Sequence, residues 1–268
     1  MNESYCGSRF CEFCDFSFIM YNGCGFRGNR MQSVTFSIVI QSNYDDAKKT
    51  IQSIETYTML TKTIYVIDLS NQNKDSRQRM DFQWFISRYR DIEYIPMKRK
   101  MNVASAHDYV LTLLDSNYHI VLSCGTYIKE DIVTHLMDYM DTHLDCAVCM
   151  PKIVDSVGNI QNVYQNEWTL SSLFSSHAAE DVDYTSEFKI PFLRNSFFMI
   201  QTNLFKELQG FDTAFNALED LDFSKRVNEV GNIIYVPDNT VYCEKLPKLS
   251  FSCEVQGLLQ YFRKWGWK

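Results

Sequence analysis

Short apolar runs rich in β-branched residues alternate along this chain with stretches whose apolar positions recur every three or four residues. The first run, residues 36–40, predicts a buried strand. Residues 42–46 read as a turn. Ala47, Ile51, Ile54 and Tyr57 then fall at helical spacing, with Lys48, Lys49, Gln52 and Glu55 between them. Residues 63–67 form a second strand that ends at Asp68, and a polar stretch leads into a helix near 82–89. A third strand covers 92–95, and the basic turn Lys98-Arg99-Lys100 follows it. Val103, Ala106, Val110 and Leu114 place a helix over 102–114, and 119–122 is a fourth strand.

Strands and helices in strict alternation imply an α/β domain, with a mostly parallel, Rossmann-like sheet covered by helices on both faces. Ligands of such sheets bind outside the carboxyl ends of the strands. Here those ends are residues 41–42, Asp68, 96–100 and 123–126. The second half is less regular. Helices are expected at 132–140, 204–208 and 221–230, the last capped by Gly231. Strands are expected at 147–150, 152–154, 197–200 and 233–236. The polar and aromatic stretch 165–187 reads as a loop over a site.

Composition narrows the function classes. The 268 residues carry a net charge of −7, which argues against a general nucleic-acid coat, since phosphate binding needs a concentrated basic surface. The longest apolar runs are far shorter than the roughly 20 residues of a membrane span. Glu3, Arg9, Glu12 and Asp15 interrupt any secretory signal, so a cytoplasmic protein is expected, its nine cysteines held as thiols or metal ligands. Cys6, Cys11, Cys14 and Cys24 crowd into residues 1–33, a Cys-rich N-terminal extension. Their spacing leaves open a structural zinc site beside the plainer reading of free thiols. Cys146 and Cys149 sit three apart in a strand-like segment, point to opposite faces and read as packing. The main domain spans 34–250, and a basic-aromatic tail spans 251–268. Leu258, Leu259, Tyr261, Phe262, Trp265 and Trp267 of the tail mix with Arg263, Lys264 and Lys268. Such a tail either docks at the inner face of an anionic membrane or packs back on the domain as a helix.

Five segments in order resemble one known family. Residues 37–44 (SIVIQSNY) are similar to its opening S-I-V-I-P-T-Y-N, 65–68 (YVID) to V-V-D, and 102–106 (NVASA) to N-x-G-x-A. Residues 149–155 (CMPKIVD) resemble G-P-K-L-x-D. The longest match joins Gly210-Phe211-Asp212, Glu219-Asp220-Leu221-Asp222 and the stretch from Gly231 to Asp238 to G-G-F-D-E, E-D-x-D and G-x-x-x-x-Y-V-P-D. The family is glycosyltransferase family 2, in its bacterial rhamnosyltransferase-like branch with the GT-A fold.

The resemblance implies transfer of a sugar, with inversion, from a nucleotide-diphosphate donor to a hydroxyl of a glycan, lipid-linked or protein acceptor. Asp220 matches the base that takes the acceptor proton, with Glu219 supporting it. Acidic residues here would also suit a helix N-terminus, and Asp222 and Arg226 are spaced for an i,i+4 ion pair. Asp68 matches the family's acceptor for the nucleotide base, while an Asp before a turn is also an ordinary cap. Gln41, Ser42, Asn43 and Asn102 are expected around the nucleotide.

The departure lies after the fourth strand. Gly125 stands where the family's metal-binding Asp falls, and Cys124 and Thr126 are poor ligands for a hard cation. A divalent metal is therefore doubtful, unless a carboxylate from elsewhere in the chain holds it. Lys98, Arg99, Lys100 and His107, with Gly125 and Thr126, are the candidates for holding the diphosphate. The alternative is a catalytically inactive GT-A-like binding or scaffold protein in surface-polysaccharide assembly.

Overall fold

The computed structural model describes residues 32–70, 76–99, 101–161, 182–193, 196–244 and 251–266. The four cysteines at 6, 11, 14 and 24, Lys100 and most of the 165–187 stretch lie outside them.

Among the described residues, eight strands form one sheet in the order β3-β2-β1-β4-β7-β5-β8-β6. They are β1 (Ser33–Ile40), β2 (Thr61–Asp68), β3 (Ile92–Pro96), β4 (Tyr118–Ser123), β5 (Cys146–Val154), β6 (Phe188–Lys189), β7 (Phe197–Gln201) and β8 (Asn232–Tyr242). The helices are α1 (Tyr44–Tyr57), α2 (Ser76–Ile86), α3 (Val103–Tyr109), α4 (Ile132–Thr142), α5 (Thr202–Glu207), α6 (Glu219–Asn228) and α7 (Phe251–Trp265). The alternation expected from the sequence holds through β4. After it, β7 inserts antiparallel to both β4 and β5, and β5 runs parallel to β8. Two antiparallel steps cancel, so the carboxyl ends of β1 to β5 and β8 meet on one edge.

Alternation along β1 divides the core. Val34, Phe36, Ile38 and Ile40 face α1, α2 and α4 through Ile51, Phe82 and Leu136. The opposite face, with Val39, Ile67 and Phe198, packs on α3, α5 and α6 through Ala106, Phe205 and Phe223.

That second face also buries polar groups. Ser37 Oγ lies 2.7 Å from His107 Nδ1 and 3.1 Å from His119 Nε2, and His119 Nδ1 lies 2.9 Å from Thr35 Oγ1. Burial pushes both histidines down to about 3, so they are neutral. His107, expected among the diphosphate ligands, is a core residue with 2% of its surface exposed. A cation there would have to be desolvated with no carboxylate to pair it.

Cys146 and Cys149 are buried and free. They share one face rather than opposite ones, because a register irregularity between Cys146 and Val148 adds a residue to the repeat.

The tail takes the packed form. In α7, Leu258, Tyr261 and Phe262 close a third cluster with Phe192, Phe215, Leu218 and Leu221. Gly257 lets the helix approach the carbonyl of Ala217, which a Cβ would meet at 2.7 Å. No described helix is long and apolar enough to cross a membrane.

Asp222, fully buried on α6, is the polar centre of this docking. It accepts from Arg226 Nε at 2.9 Å and Trp265 Nε1 at 2.9 Å, and lies 2.7 Å from Lys264 Nζ. Replacing it strands a buried guanidinium, so Asp222→Ala should cost roughly 3–5 kcal/mol in urea unfolding.

A pH titration of stability tests the buried histidines. The unfolded chain takes up protons near 6.5 that the folded chain refuses until about 3. Stability should therefore fall as pH drops from 6.5 towards 3, by up to about 1.4 kcal/mol per pH unit per histidine. His119→Asn should flatten that slope.

Candidate functional site

The carboxyl edge of the sheet gathers Gln41 to Asn43, Asp68 to Ser70, Met97 to Asn102 and Ser123 to Thr126. Strand β8 starts at the opposite edge, and α6 runs back to it, so the first turn of α6, with Glu219 and Asp220, is at the same edge as these loops.

Two asparagines expected at the nucleotide cap helices. Asn43 Oδ1 accepts from the Asp45 and Asp46 amides, at 3.0 and 3.3 Å. Asn102 Oδ1 accepts from the Ser105 amide at 2.8 Å, and its Nδ2 donates to the Phe215 carbonyl at 2.8 Å. Asn102 thereby ties the loop after β3 to the segment that leads into Glu219 and Asp220. Gln41 and Ser42 are exposed beside Asn43.

Asp68 is 1% exposed and surrounded by donors. Its Oδ1 accepts from the Ser70 amide at 2.8 Å. Its Oδ2 accepts from Tyr44 Oη at 2.9 Å and Tyr94 Oη at 2.5 Å, and lies 3.4 Å from Arg79 Nε. Arg79 also donates to the Ser70 carbonyl at 3.2 Å. Burial and its bond to the carboxylate raise the Tyr94 phenol well above its ordinary range. Sequence reasoning missed Tyr94 and Arg79. Nothing local marks them, because they arrive from β3 and α2.

Gly125 has φ +92°, and its amide donates to Thr50 Oγ1 at 2.9 Å. A Cβ there would stand 3.5 Å from Asp46 Cβ and Cγ. So a carboxylate does reach the Gly125 position, from α1, but Asp46 is already held by Asn43 Nδ2 at 2.7 Å. Burial pushes the neighbouring Cys124 thiol up to about 12, so it is no thiolate ligand. Thr126 is fully buried, with Oγ1 directed at the Ser196 carbonyl. The described residues at this position do not fit a divalent-cation site: one committed carboxylate is too few for a hard cation.

The turns before α6 are tightly held. Gln209 and Gly210 both take positive φ. Arg226 clamps them by donating to the carbonyls of Leu208 and Gly210, while Asp108 Oδ1 accepts from the Phe211 amide at 2.9 Å. Desolvation raises the Asp108 carboxyl to about 7. Leu218, with φ +61°, is the left-handed residue directly before Glu219. Asp220 Oδ1 accepts from the Leu221 amide at 3.0 Å, and the Asp220 carbonyl accepts from Ser224 Oγ at 2.6 Å. Lys98 and Arg99 are exposed on the loop after β3.

With this geometry the chain is similar to several solved structures. One is GalNAc-T7 with UDP, GalNAc and Mn²⁺, at TM-score 0.62 and 13% identity, covering 81% of this chain and 44% of that one. A second is the mannosyltransferase PcManGT from Pyrobaculum calidifontis with GDP-Man and Mn²⁺, at TM-score 0.62 and 12% identity, covering 86% and 63%. A third is S. aureus TarS 1–349 with UDP, at TM-score 0.59 and 13% identity, covering 85% and 63%. The fold is GT-A. The chain spans about half to two thirds of the length of these neighbours, each of which the matched region does not fill. No protein-family profile matches the chain, and no curated protein sequence does.

The turn before α6 can be probed directly. A Cβ on Gly210 would meet Asp108 Oδ1 at 2.2 Å, and its φ of +63° disfavours any side chain. Gly210→Ala should cost more than the roughly 1–3 kcal/mol of backbone strain alone. Gly158→Ala is the control: φ is +100° there but nothing lies within 4 Å, so only the strain is felt. Paired denaturation curves measure the difference.

Proposed function

We propose that the chain is a glycosyltransferase that moves a sugar from a nucleotide-diphosphate donor to an acceptor hydroxyl. The observation that carries this reading is the acidic first turn of α6, Glu219-Asp220, at the carboxyl edge of the sheet, on a helix whose Arg226 closes the preceding turn and whose Asp222 accepts from Trp265 of α7. The neighbours' bound UDP and GDP-mannose support a nucleotide sugar as donor.

In the proposed reaction the acceptor oxygen attacks the anomeric carbon as the bond to the diphosphate breaks, inverting the centre. Asp220 takes the hydroxyl proton, and Glu219 orients the acceptor. Gln41, Ser42 and Asn43 border the nucleotide. Asp68 Oδ1 carries one donor, the Ser70 amide, and keeps a lone pair with which to accept an imide N–H from the base once its burial is relieved. Lys98 and Arg99 on the loop after β3, with Lys100 next in the sequence, neutralise the leaving diphosphate, and the proposed reaction is metal-independent because the Gly125 position offers too few ligands. The acceptor is a glycan, lipid-linked or protein hydroxyl.

A second reading has two observations of its own. Gly125 in the metal position and the buried Asp68, already bonded to two tyrosines, suit a catalytically silent member that keeps the GT-A frame as a binding or scaffold subunit.

Transfer assays with UDP-, GDP- and dTDP-sugars, with and without Mn²⁺, separate the two. The enzyme reading expects turnover without metal. Asp220→Asn should reduce it by at least ~10²-fold while leaving calorimetric donor binding within a few fold. Turnover that survives Asp220→Asn removes Asp220 as the base. Absence of both nucleotide binding and turnover supports the silent reading.

A further inference from the structure

An open groove of about 550 Å³ runs along the outer side of α3, lined by Arg99, Met101, Asn102, Ser105, Asp108 and Tyr109. That volume lies within the ~300–1,000 Å³ common for small-ligand clefts. Its polar groups divide into spent and unspent ones. Asn102 is spent, with its oxygen on the helix cap and its nitrogen on the Phe215 carbonyl. Asp108 Oδ1 is spent on the Phe211 amide. Asp108 Oδ2, Ser105 Oγ, the Tyr109 hydroxyl and the Arg99 guanidinium have no hydrogen-bond or ion-pair partner among the described residues. Tyr109 leaves 47% of its surface exposed beside them.

We infer that this groove binds the acceptor as a neutral, hydroxyl-bearing sugar ring, an inference that rests on the transferase reading and extends it. A sugar ring supplies hydroxyl donors for Asp108 Oδ2, hydroxyl and ring oxygens for Arg99 and Ser105, and an apolar C–H face for the Tyr109 ring. Other ligands fit the same groups less well. A phosphate brings few donors and would be repelled by Asp108 whenever that carboxyl is ionised, and a cationic peptide would face Arg99. The groove is tied to the proposed base through the chain: Asn102 and Asp108 hold residues 211–215, and that segment leads into Glu219 and Asp220.

The test is a methyl NMR titration of the whole chain labelled at methionine, read at Met101 in the groove. The probes are lactose, maltose and N,N′-diacetylchitobiose, with inorganic phosphate as the anion probe. A saturable shift of Met101 with at least one disaccharide is expected, weakened about tenfold or more in Asp108→Asn and in Tyr109→Ala. Tyr109 is exposed, so Tyr109→Ala should keep the wild-type melting temperature, which covers the case in which Asp108→Asn unfolds the turn. No saturable shift with any disaccharide overturns the inference, as does a shift that survives Tyr109→Ala. A shift produced only by phosphate and lost in Arg99→Gln overturns it too, and makes the groove an anion site. Donor hydrolysis by the wild-type chain is measured separately. Hydrolysis without a disaccharide shift sinks the groove alone, whereas a disaccharide shift without any donor turnover sinks the transferase reading and leaves a sugar-binding groove.

Discussion

The buried carboxylate of Asp222 is the interaction on which the second half of the molecule depends. One side chain joins α6 to α7 through Lys264 and Trp265, and orients Arg226 so that its remaining donors close the turn at Leu208 and Gly210. Those turns and α7 bracket the segment that carries Glu219 and Asp220. A buried charge is costly unless its lone pairs are filled, and here three donors fill them. The arrangement therefore couples helix, tail and turn through one carboxylate.

The first half solves a similar problem at Asp68. Its oxygens collect donors from α1, α2 and β3, so the strand end is a junction of three elements. A junction of that kind aligns the loops of the edge, and it also restrains how a nucleotide base could meet the carboxylate. Gly125 adds a second departure, since α1 lends Asp46 to a position where β4 offers no side chain.

Much of this was legible in the residues. Periodicities of two and near 3.6 are local consequences of backbone geometry, so strands β1 to β4 and the helices between them could be read in order. The Asp222–Arg226 pair could be read for the same reason, being four apart on one helix. Motif order placed Asn102 and Glu219-Asp220 at the same edge, and the Asn102–Phe215 bond joins their loops. His107 could not be read this way. It follows a basic turn and looks like a surface cation, and only Ser37 and His119, about 70 and 12 residues away, show it to be a neutral core group. The shared face of Cys146 and Cys149 was hidden as well, because a strand irregularity is set by the partner strand.

The chain by itself determined the order of strands β1 to β4 with helices between them, the face that β1 gives each core and which acids precede α6, since each of these follows from neighbours within a few residues. Tertiary structure alone decided the antiparallel direction of β7, the donors gathered on Asp68, the docking of α7 on Asp222 and the groove beside α3. Each of those depends on groups brought together from distant positions, where hydrogen-bond geometry and desolvation, rather than sequence spacing, choose the partner.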